Sequence, residues 1–274
     1  MNYKEVNIDL SQFTEPMSEI LMAELGEIEY ESFAEQDGQL KAYIVSEKYN
    51  EQELNVISNQ YGGFIYTAIE IEQLNWNAQW ESSFEPIVID NFCHIRAPFH
   101  DRRSDMQYEI VIEPKMSFGT GHHATTRLMI KHMQTIDIEG KNVLDMGCGT
   151  GILAIMAKYL GAKSVHGIDI DEWAVENSIE NAQRNGIQDI SFQLGIADQI
   201  SDQYDVILAN INRNILVNDM EKYSNHLNNN GIIVFSGFYE ADIPIIESEA
   251  SKWNLKKLKM LFEDSWTALV FHKE

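Results

Sequence analysis

The segment Val143-Leu144-Asp145-Met146-Gly147-Cys148-Gly149-Thr150-Gly151 joins an apolar, strand-like run to a helical stripe. Three glycines at alternate positions let backbone N–H groups approach a ligand with no Cβ in the way. The helix start that follows favours a negative or polar group. Two ligand classes use such a loop. Gly149-Thr150-Gly151-Ile152-Leu153-Ala154 fits G-x-G-x-x-A, the dinucleotide fingerprint, and an acid, Asp169, follows twenty residues after Gly149. Three features weigh against NAD. Asp145 precedes the first glycine by two residues and would repel a pyrophosphate. The C-terminal segments read as an antiparallel hairpin rather than the six-stranded parallel order. No second domain follows to hold a hydride donor or acceptor. A sulfonium carrying an amino acid and an adenosine suits the loop better: Asp145 near the methionyl end, Asp169 accepting from both ribose hydroxyls. The expected cofactor is S-adenosylmethionine.

Two further segments point to the same place. Asp205-Val206-Ile207-Leu208-Ala209-Asn210-Ile211 is a buried strand ending in an amide. Ligands of open parallel sheets sit at the carboxyl ends of strands, so Asn210 is expected in the crevice, with both a donor and an acceptor to orient an amine. A turn-forming Asn is the alternative. Ser117-Phe118-Gly119-Thr120-Gly121-His122-His123-Ala124-Thr125-Thr126 opens a helix, with Thr125 or Thr126 as its expected cap, and is of a kind that folds over a ligand. The adjacent histidines point apart on any regular element and no carboxylate-rich set accompanies them, so no metal is expected. Cys148 reads as a loop residue, and Asp198 as either an acceptor for an adenine amino group or a solvated acid.

The elements that must position these residues fall into two groups. Up to about residue 73 the order is β-α-β-β-α-β, the split βαβ arrangement. Val6, Ile8 and Leu10 alternate; a helix opens at Thr14 and Pro16, carries Met17, Ile20, Leu21 and Leu25, and ends at Gly26. Ile28 to Phe33 and Leu40 to Val45 form a hairpin through Asp37-Gly38. Asn50 with Glu53 reads as a capping box over Leu54, Ile57 and Tyr61, closed by Gly62-Gly63. Ile65, Thr67, Ile69 and Ile71 alternate as the last strand. Trp76, Trp80 and Phe84 then recur every fourth residue on one helix face, a linker over 74–85. Pro86 to Ala97 reads as a short hairpin. Beyond residue 100, strand-like runs at 143–146, 165–169, 191–194, 206–209 and 232–236 alternate with helical stripes, which predicts a parallel sheet covered on both faces. Leu258, Met260 and Phe262, then Trp266, Ala268 and Val270, lie too close for a parallel crossover and must pair antiparallel.

Composition bounds the reading. The chain has 274 residues, about two domains' worth. Its 20 Lys+Arg against 43 Asp+Glu give a formal charge of −23, which opposes non-specific binding to nucleic acid and suits a basic partner. Two cysteines, Cys93 and Cys148, build no disulfide framework or zinc site. No signal peptide or apolar run of membrane-spanning length is read, so the expected location is the cytoplasm.

Taken together these segments resemble the ribosomal protein L11 methyltransferase (PrmA) family over nearly the whole chain. The resemblance rests on Asn75-Trp76 with Trp80 and Phe84-Glu85-Pro86-Ile87, on Phe118-Gly119-Thr120-Gly121 with His123 to Thr126, on the glycine loop running into Ile155, on Gly167-Ile168-Asp169-Ile170-Asp171, and on Ala209-Asn210-Ile211. Glu113-Pro114-Lys115 and Ala124 depart from the family's usual Asp-Pro-Gly and Pro. The resemblance implies a Rossmann-like class-I methyltransferase domain (86–274) with an antiparallel C-terminal hairpin, preceded by a small α+β ferredoxin-like domain (1–73) for substrate recognition. The family's cofactor contacts carry over to Thr126, Gly147, Asp169 and Asn210; with Gly149 of the loop these form the candidate cofactor-binding set. No catalytic base and no metal are assigned. The implied activity is transfer of methyl groups to lysine and α-amino groups of a ribosomal protein, by a monomer that binds neither nucleic acid nor membrane. The rival readings are a class-I methyltransferase acting on another protein or small molecule, a non-catalytic ribosome-assembly factor, and an NAD-dependent dehydrogenase. Ile211-Asn212-Arg213 after the strand-end Asn argues against glutamine methylation, whose enzymes place Pro-Pro-Tyr there.

Overall fold

A computed structural model of the chain describes residues 2–36, 38–71, 85–115 and 119–274. The aromatic linker at Trp76, Trp80 and Phe84, Asp37 of the first hairpin, and Ser117 and Phe118 of the Gly-Thr-Gly loop lie outside the described residues. The chain divides into two compact units, residues 1–84 and 85–274.

The first unit holds β1 (Tyr3–Asp9), α1 (Glu15–Glu27), β2 (Ser32–Gln36), β3 (Gln39–Val45), α2 (Glu51–Gln60) and β4 (Tyr66–Ile71). Its antiparallel sheet runs β2-β3-β1-β4, the order of a split βαβ fold. Val6, Ile8, Leu21, Leu25, Leu40, Ile44 and Leu54 form its core. Asn50 caps α2, its side chain accepting from Gln52 N–H at 3.0 Å.

Three local expectations change in phase. Thr14 occupies the cap position of α1 but makes no side-chain cap bond, and the helix runs past Gly26 to Glu27. The turn that ends it is taken by Glu29 at φ 69°, which delays β2 to Ser32. On α1 only Leu21 and Leu25 of the expected stripe are buried; Met17 and Ile20 are exposed. In β4 the register sets Ala68 opposite Val6 and Tyr66 opposite Ile8, so the alternating Ile65, Thr67, Ile69 and Ile71 turn to the other face. Ile65 and Ile69 are accordingly 74% and 51% exposed. Side-chain period 2 makes that choice all-or-none once pairing is set.

The second unit opens with a small sheet of β5 (Ile87–Ile89), β6 (Cys93–Arg96) and β7 (Tyr108–Val111), antiparallel then parallel. The sequence reading had no counterpart of β7. The main sheet contains β8 (Asn142–Met146), β9 (Ser164–Asp169), β10 (Ile190–Leu194), β11 (Tyr204–Asn210), β12 (Leu227–Tyr239), β13 (Leu255–Glu263) and β14 (Trp266–Lys273). Its order is β10-β9-β8-β11-β12-β14-β13. The first five strands are parallel, and β14 is antiparallel to both β12 and β13. Alternate side chains feed two cores. Val143, Val206, Leu208 and Val234 pack with α3 (Ala124–Met133) and α4 (Ile152–Tyr159). Leu144, Ile207, Ile233 and Phe235 pack with α6 (Arg213–His226) and α7 (Ile243–Lys252). The remaining helix, α5 (Glu172–Arg184), follows β9. Strand order reverses between β8 and β11, the switch point where a ligand crevice opens. Among the described residues no helix is long and apolar enough to cross a membrane.

The phase of α1 is directly testable. Leu21→Ala removes a wholly buried side chain and should cost roughly 2–5 kcal/mol. Ile20→Ala, at a position 55% exposed, should stay within about 0.5 kcal/mol. Urea unfolding of the two variants followed by circular dichroism reads the difference, and equal losses would contradict the assigned phase.

Candidate active site

A cavity of about 410 Å³ lies at the carboxyl ends of the central strands, within the range of small-molecule sites. Its walls include Gly147, Gly149, Asp169 and Asn210. Thr126, the fifth residue of the expected set, is fully buried in the first turn of α3 and is not part of the wall; its Oγ1 has no hydrogen-bond partner.

Ile211, the residue after β11, explains two of the glycines, Gly147 and Gly237. A Cβ built on Gly147 would stand 2.4 Å from Ile211 Cγ2, and one on Gly237 would stand 2.4 Å from the Ile211 carbonyl oxygen. Both glycines also hold φ values of 72° and 95°, a region that L side chains rarely adopt. The ends of β8, β11 and β12 therefore meet with no room for a side chain between them.

Two acids are held rigidly behind the loop. Asp169 Oδ2 accepts from Gly149 N–H at 2.8 Å, and its Oδ1 accepts from Asp171 N–H at 3.1 Å. Each oxygen retains a lone pair for a further donor. Asp145 Oδ2 accepts from Ala154 N–H at 3.0 Å, capping the first turn of α4 from below, while Oδ1 is buried without a partner. Burial pushes the Asp145 carboxyl up to about 7; the Ala154 N–H pulls it down, and the Asp169 charge adds to the rise. Asn210 presents a similar orphan: its Oδ1 is buried and unpartnered.

The Gly-Thr-Gly loop is tied to the glycine loop, because Thr150 Oγ1 donates to the Gly119 carbonyl at 2.7 Å. A Cβ on Gly119 would come within 2.9 Å of that hydroxyl oxygen. The two histidines diverge as their adjacency requires. His122 Nε2 lies 2.9 Å from the Glu85 carbonyl oxygen. His123 lines the cavity and caps α3, its Nδ1 accepting from Thr125 N–H at 3.3 Å. The cap is thus His123, not Thr125 or Thr126, whose side chains are buried in the helix start. An accepting Nδ1 places the ring proton on Nε2, and burial, followed by the Arg127 charge, holds the imidazole's pKa below its usual range. His123 is therefore a neutral ring.

Several wall residues were not anticipated. Trp266, Trp173, Asp219 and Ile215 line the cavity, yet none belongs to a glycine-rich or repeated motif. Asp219 accepts from Lys222 Nζ at 2.8 Å, and the same lysine binds Asp198 at 2.8 Å. Asp198 is thus an exposed ion-pair partner. Cys148 is buried, with its thiol pKa raised well above normal by burial and by Asp145 and Asp169, which is no setting for a nucleophile. Among the described residues the wall contains Asp169, Asp171 and Asp219 and neither lysine nor arginine. Such a cavity suits a cation and disfavours a pyrophosphate.

A model of the ribosomal protein L11 methyltransferase (PrmA) family matches residues 4–274. The ribosomal protein L11 methyltransferase of Bacteroides fragilis is 43% identical over 278 residues, covering 99% of each chain. That of Porphyromonas gingivalis is 44% identical over 260 residues, covering 92% of this chain and 90% of its own. The solved structure of ribosomal protein L11 methylase from Lactobacillus delbrueckii subsp. bulgaricus gives a TM-score of 0.66 at 30% identity, over 70% of this chain and 100% of that one. A methyltransferase from Pyrococcus furiosus shares the fold, with a TM-score of 0.51 at 21% identity over 60% of this chain and 89% of its own. With its Rossmann-like mixed sheet, extra N-terminal unit and glycine-loop cavity, the chain belongs to the ribosomal protein L11 methyltransferase (PrmA) family of class-I methyltransferases.

Proposed function

We propose that this protein moves methyl groups from S-adenosylmethionine to lysine and α-amino groups of ribosomal protein L11. The observation that carries the reading is the buried, unpartnered Oδ1 of Asn210 at the wall of an acid-lined cavity. An acceptor left unpaired in a buried site costs about 1–3 kcal/mol, and an amine N–H on the acceptor substrate would satisfy it. The names of the 43–44% identical relatives supply the substrate.

The cofactor fits the residues present. S-adenosylmethionine, when bound, supplies a methyl carbon activated by a positively charged sulfur. Asp169 would hold its ribose hydroxyls through the lone pairs left by Gly149 and Asp171. Gly147 and Gly149 would form the floor. Asp145, with Oδ1 lacking a partner, would supply negative charge, and Thr126, with an orphan Oγ1, would sit behind the loop.

The acceptor needs its lone pair. A lysine with a pKa of about 10.4 or an α-amine of about 8 must first lose a proton, and the positive charge of a bound S-adenosylmethionine would favour the neutral amine. His123 is not the base in this arrangement, since its Nδ1 already accepts from Thr125 N–H. The proton passes to water, and the chain's contribution is alignment, with Asn210 Oδ1 accepting an N–H so that the lone pair points along the transfer axis. Ordering of this kind can supply roughly 7–11 kcal/mol. Residues 1–73 would grip the substrate, and 74–85 would link the grip to the catalytic unit. The net charge of −23 favours encounter with a basic ribosomal protein.

Intact-mass spectrometry of free ribosomal protein L11 incubated with this protein and S-adenosylmethionine tests the proposal. Mass gains in methylene steps, absent without the protein, are expected; no gain alongside measurable cofactor binding would remove the substrate assignment. Asn210→Ala should lower turnover by more than tenfold and, because Asn210 also belongs to the candidate cofactor-binding set, weaken S-adenosylmethionine binding as well; unchanged turnover would remove its role at the amine. Asp169→Ala should act mainly on the cofactor, weakening its affinity more than tenfold in a calorimetric titration.

Asp145 makes cofactor binding depend on pH. In the free protein its carboxyl holds a proton up to about pH 7, whereas the unfolded chain releases it near about 3.9. This group's share of stability is present below about pH 4 and is lost as pH rises to 7. A bound cation favours the ionised form, so binding expels the proton and affinity rises with pH between about 5 and 7, then levels. Calorimetry in buffers of different ionisation heat should detect proton release at pH 6 that Asp145→Asn abolishes.

A further inference from the structure

Glu263 and Trp266 oppose each other at the tip of the β13–β14 hairpin. Asp264 and Ser265 connect them in a two-residue turn with both φ values positive, 50° and 68°, the tight connection whose twist matches that of paired strands. Both ends of the turn meet the segment that leads from the Gly-Thr-Gly loop into α3. Trp266 meets the His123 ring, with centroids 4.6 Å apart and planes at 68°. Glu263 Oε1 accepts from Arg127 Nε at 2.6 Å and lies 2.5 Å from Nη2, while its Oε2 accepts from Lys131 Nζ at 3.2 Å. With Arg127 and Glu263 only 21% and 26% exposed, the pair is less open to solvent than the surface ion pairs that contribute little.

Arg127 carries this contact on to the loop. Its Nη1 donates to the His122 carbonyl and, at 3.5 Å, to that of Gly121. All three guanidinium nitrogens are thus engaged, two by a carboxylate 136 positions away and one by the loop. Arginine's rigid fork suits this double contact, and a lysine's single ammonium does not. The position also runs against the helix's own preference. Arg127 is among the first four residues of α3, whose first turn contains no acid, and a cation there opposes the macrodipole. Glu263 brings from β13 the negative charge that the turn lacks.

The loop is of a kind that needs holding. Gly119 and Gly121 stand at φ 101° and 92°, and glycine loses more conformational freedom on ordering than any other residue. Thr150 Oγ1 fixes the Gly119 carbonyl at one end, and Arg127 fixes those of Gly121 and His122 at the other. His123, next in the chain, lines the cavity, and Thr126 of the candidate cofactor-binding set directly precedes Arg127. Resting on the reading of S-adenosylmethionine as cofactor, we infer that Arg127, fixed by Glu263, is a positioning residue: it holds the Gly121 and His122 carbonyls so that the loop stands at the cavity before the cofactor enters. Without that hold only a fraction of the molecules carries an ordered loop, and apparent affinity falls by that fraction.

Three measurements on the full-length protein test this: calorimetric titration with S-adenosylmethionine, hydrogen exchange of the cofactor-free chain over residues 119–127, and thermal melting. Arg127→Met should speed exchange in the loop and weaken affinity by about 10- to 100-fold, the worth of a hydrogen bond to a charged group. Arg127→Lys, which keeps the charge but not the fork, should recover the melting temperature and not the affinity. The decisive variant exchanges the pair. Arg127→Glu combined with Glu263→Arg restores opposite charges across the same gap but turns a carboxylate toward the two carbonyls, so melting should recover while loop protection and affinity do not. Recovery of affinity together with melting in the exchanged pair would overturn the inference and leave the pair a stability contact. Unchanged affinity and loop exchange in Arg127→Met would overturn it as well. If the wild-type chain binds no S-adenosylmethionine, the cofactor reading fails instead, and loop exchange in cofactor-free Arg127→Met still decides whether Arg127 holds the loop.

Discussion

Three strand ends converge on one residue, Ile211, and the site exists because they do so without Cβ atoms in between. Gly147 at the end of β8 and Gly237 in β12 each place their missing Cβ 2.4 Å from atoms of Ile211. Interiors packed to organic-crystal density do not absorb an overlap of that size. The glycine loop, the strand-end amide of Asn210 and the irregularity of β12 at Gly237 are therefore consequences of one close approach. Moving any of the three strands would displace all of them together.

Around that junction the fold leaves polar atoms unsatisfied. Asp145 Oδ1 and Asn210 Oδ1 stand on adjoining strands, and Thr126 Oγ1 stands in the first turn of α3, all buried and without partners. Native structures leave few such groups, and Asn210 Oδ1, at the cavity wall, is the one a ligand in the cavity could reach directly. The acids add a second tension. The Asp169 charge adds to the cost of ionising buried Asp145, beside a cavity whose described wall residues include neither lysine nor arginine. A cation relieves that tension and a phosphate worsens it, which separates this cavity from the dinucleotide sites whose glycine spacing it shares.

The antiparallel hairpin has a role beyond closing the sheet. By inserting β14 between β12 and β13, it brings Trp266 to the carboxyl end of β12. A parallel strand in that position would run the other way and present its carboxyl end there. The mixed sheet thus adds Trp266 to the cavity that Gly147 and Gly149 line, while Glu263 at the end of β13 engages Arg127 of α3.

Local chemistry was legible in the chain wherever a single segment carried it. The glycine loop, the acid ending β9, the amide ending β11 and the hairpin from 255 to 273 all follow from short-range pattern, because strand period, turn geometry and steric freedom are properties of neighbouring residues. Tertiary pairing decided what pattern alone left open. The alternation of Ile65 to Ile71 marks a strand, but only its register against β1 turns those side chains outward. The stripe on α1 marks a helix, but only packing selects Leu21 and Leu25 and leaves Ile20 in solvent. Trp266 and Asp219 became wall residues through contacts with segments distant in the chain. No window of sequence contains those contacts: they arise when strand order brings together residues more than a hundred positions apart, as with His123 and Trp266.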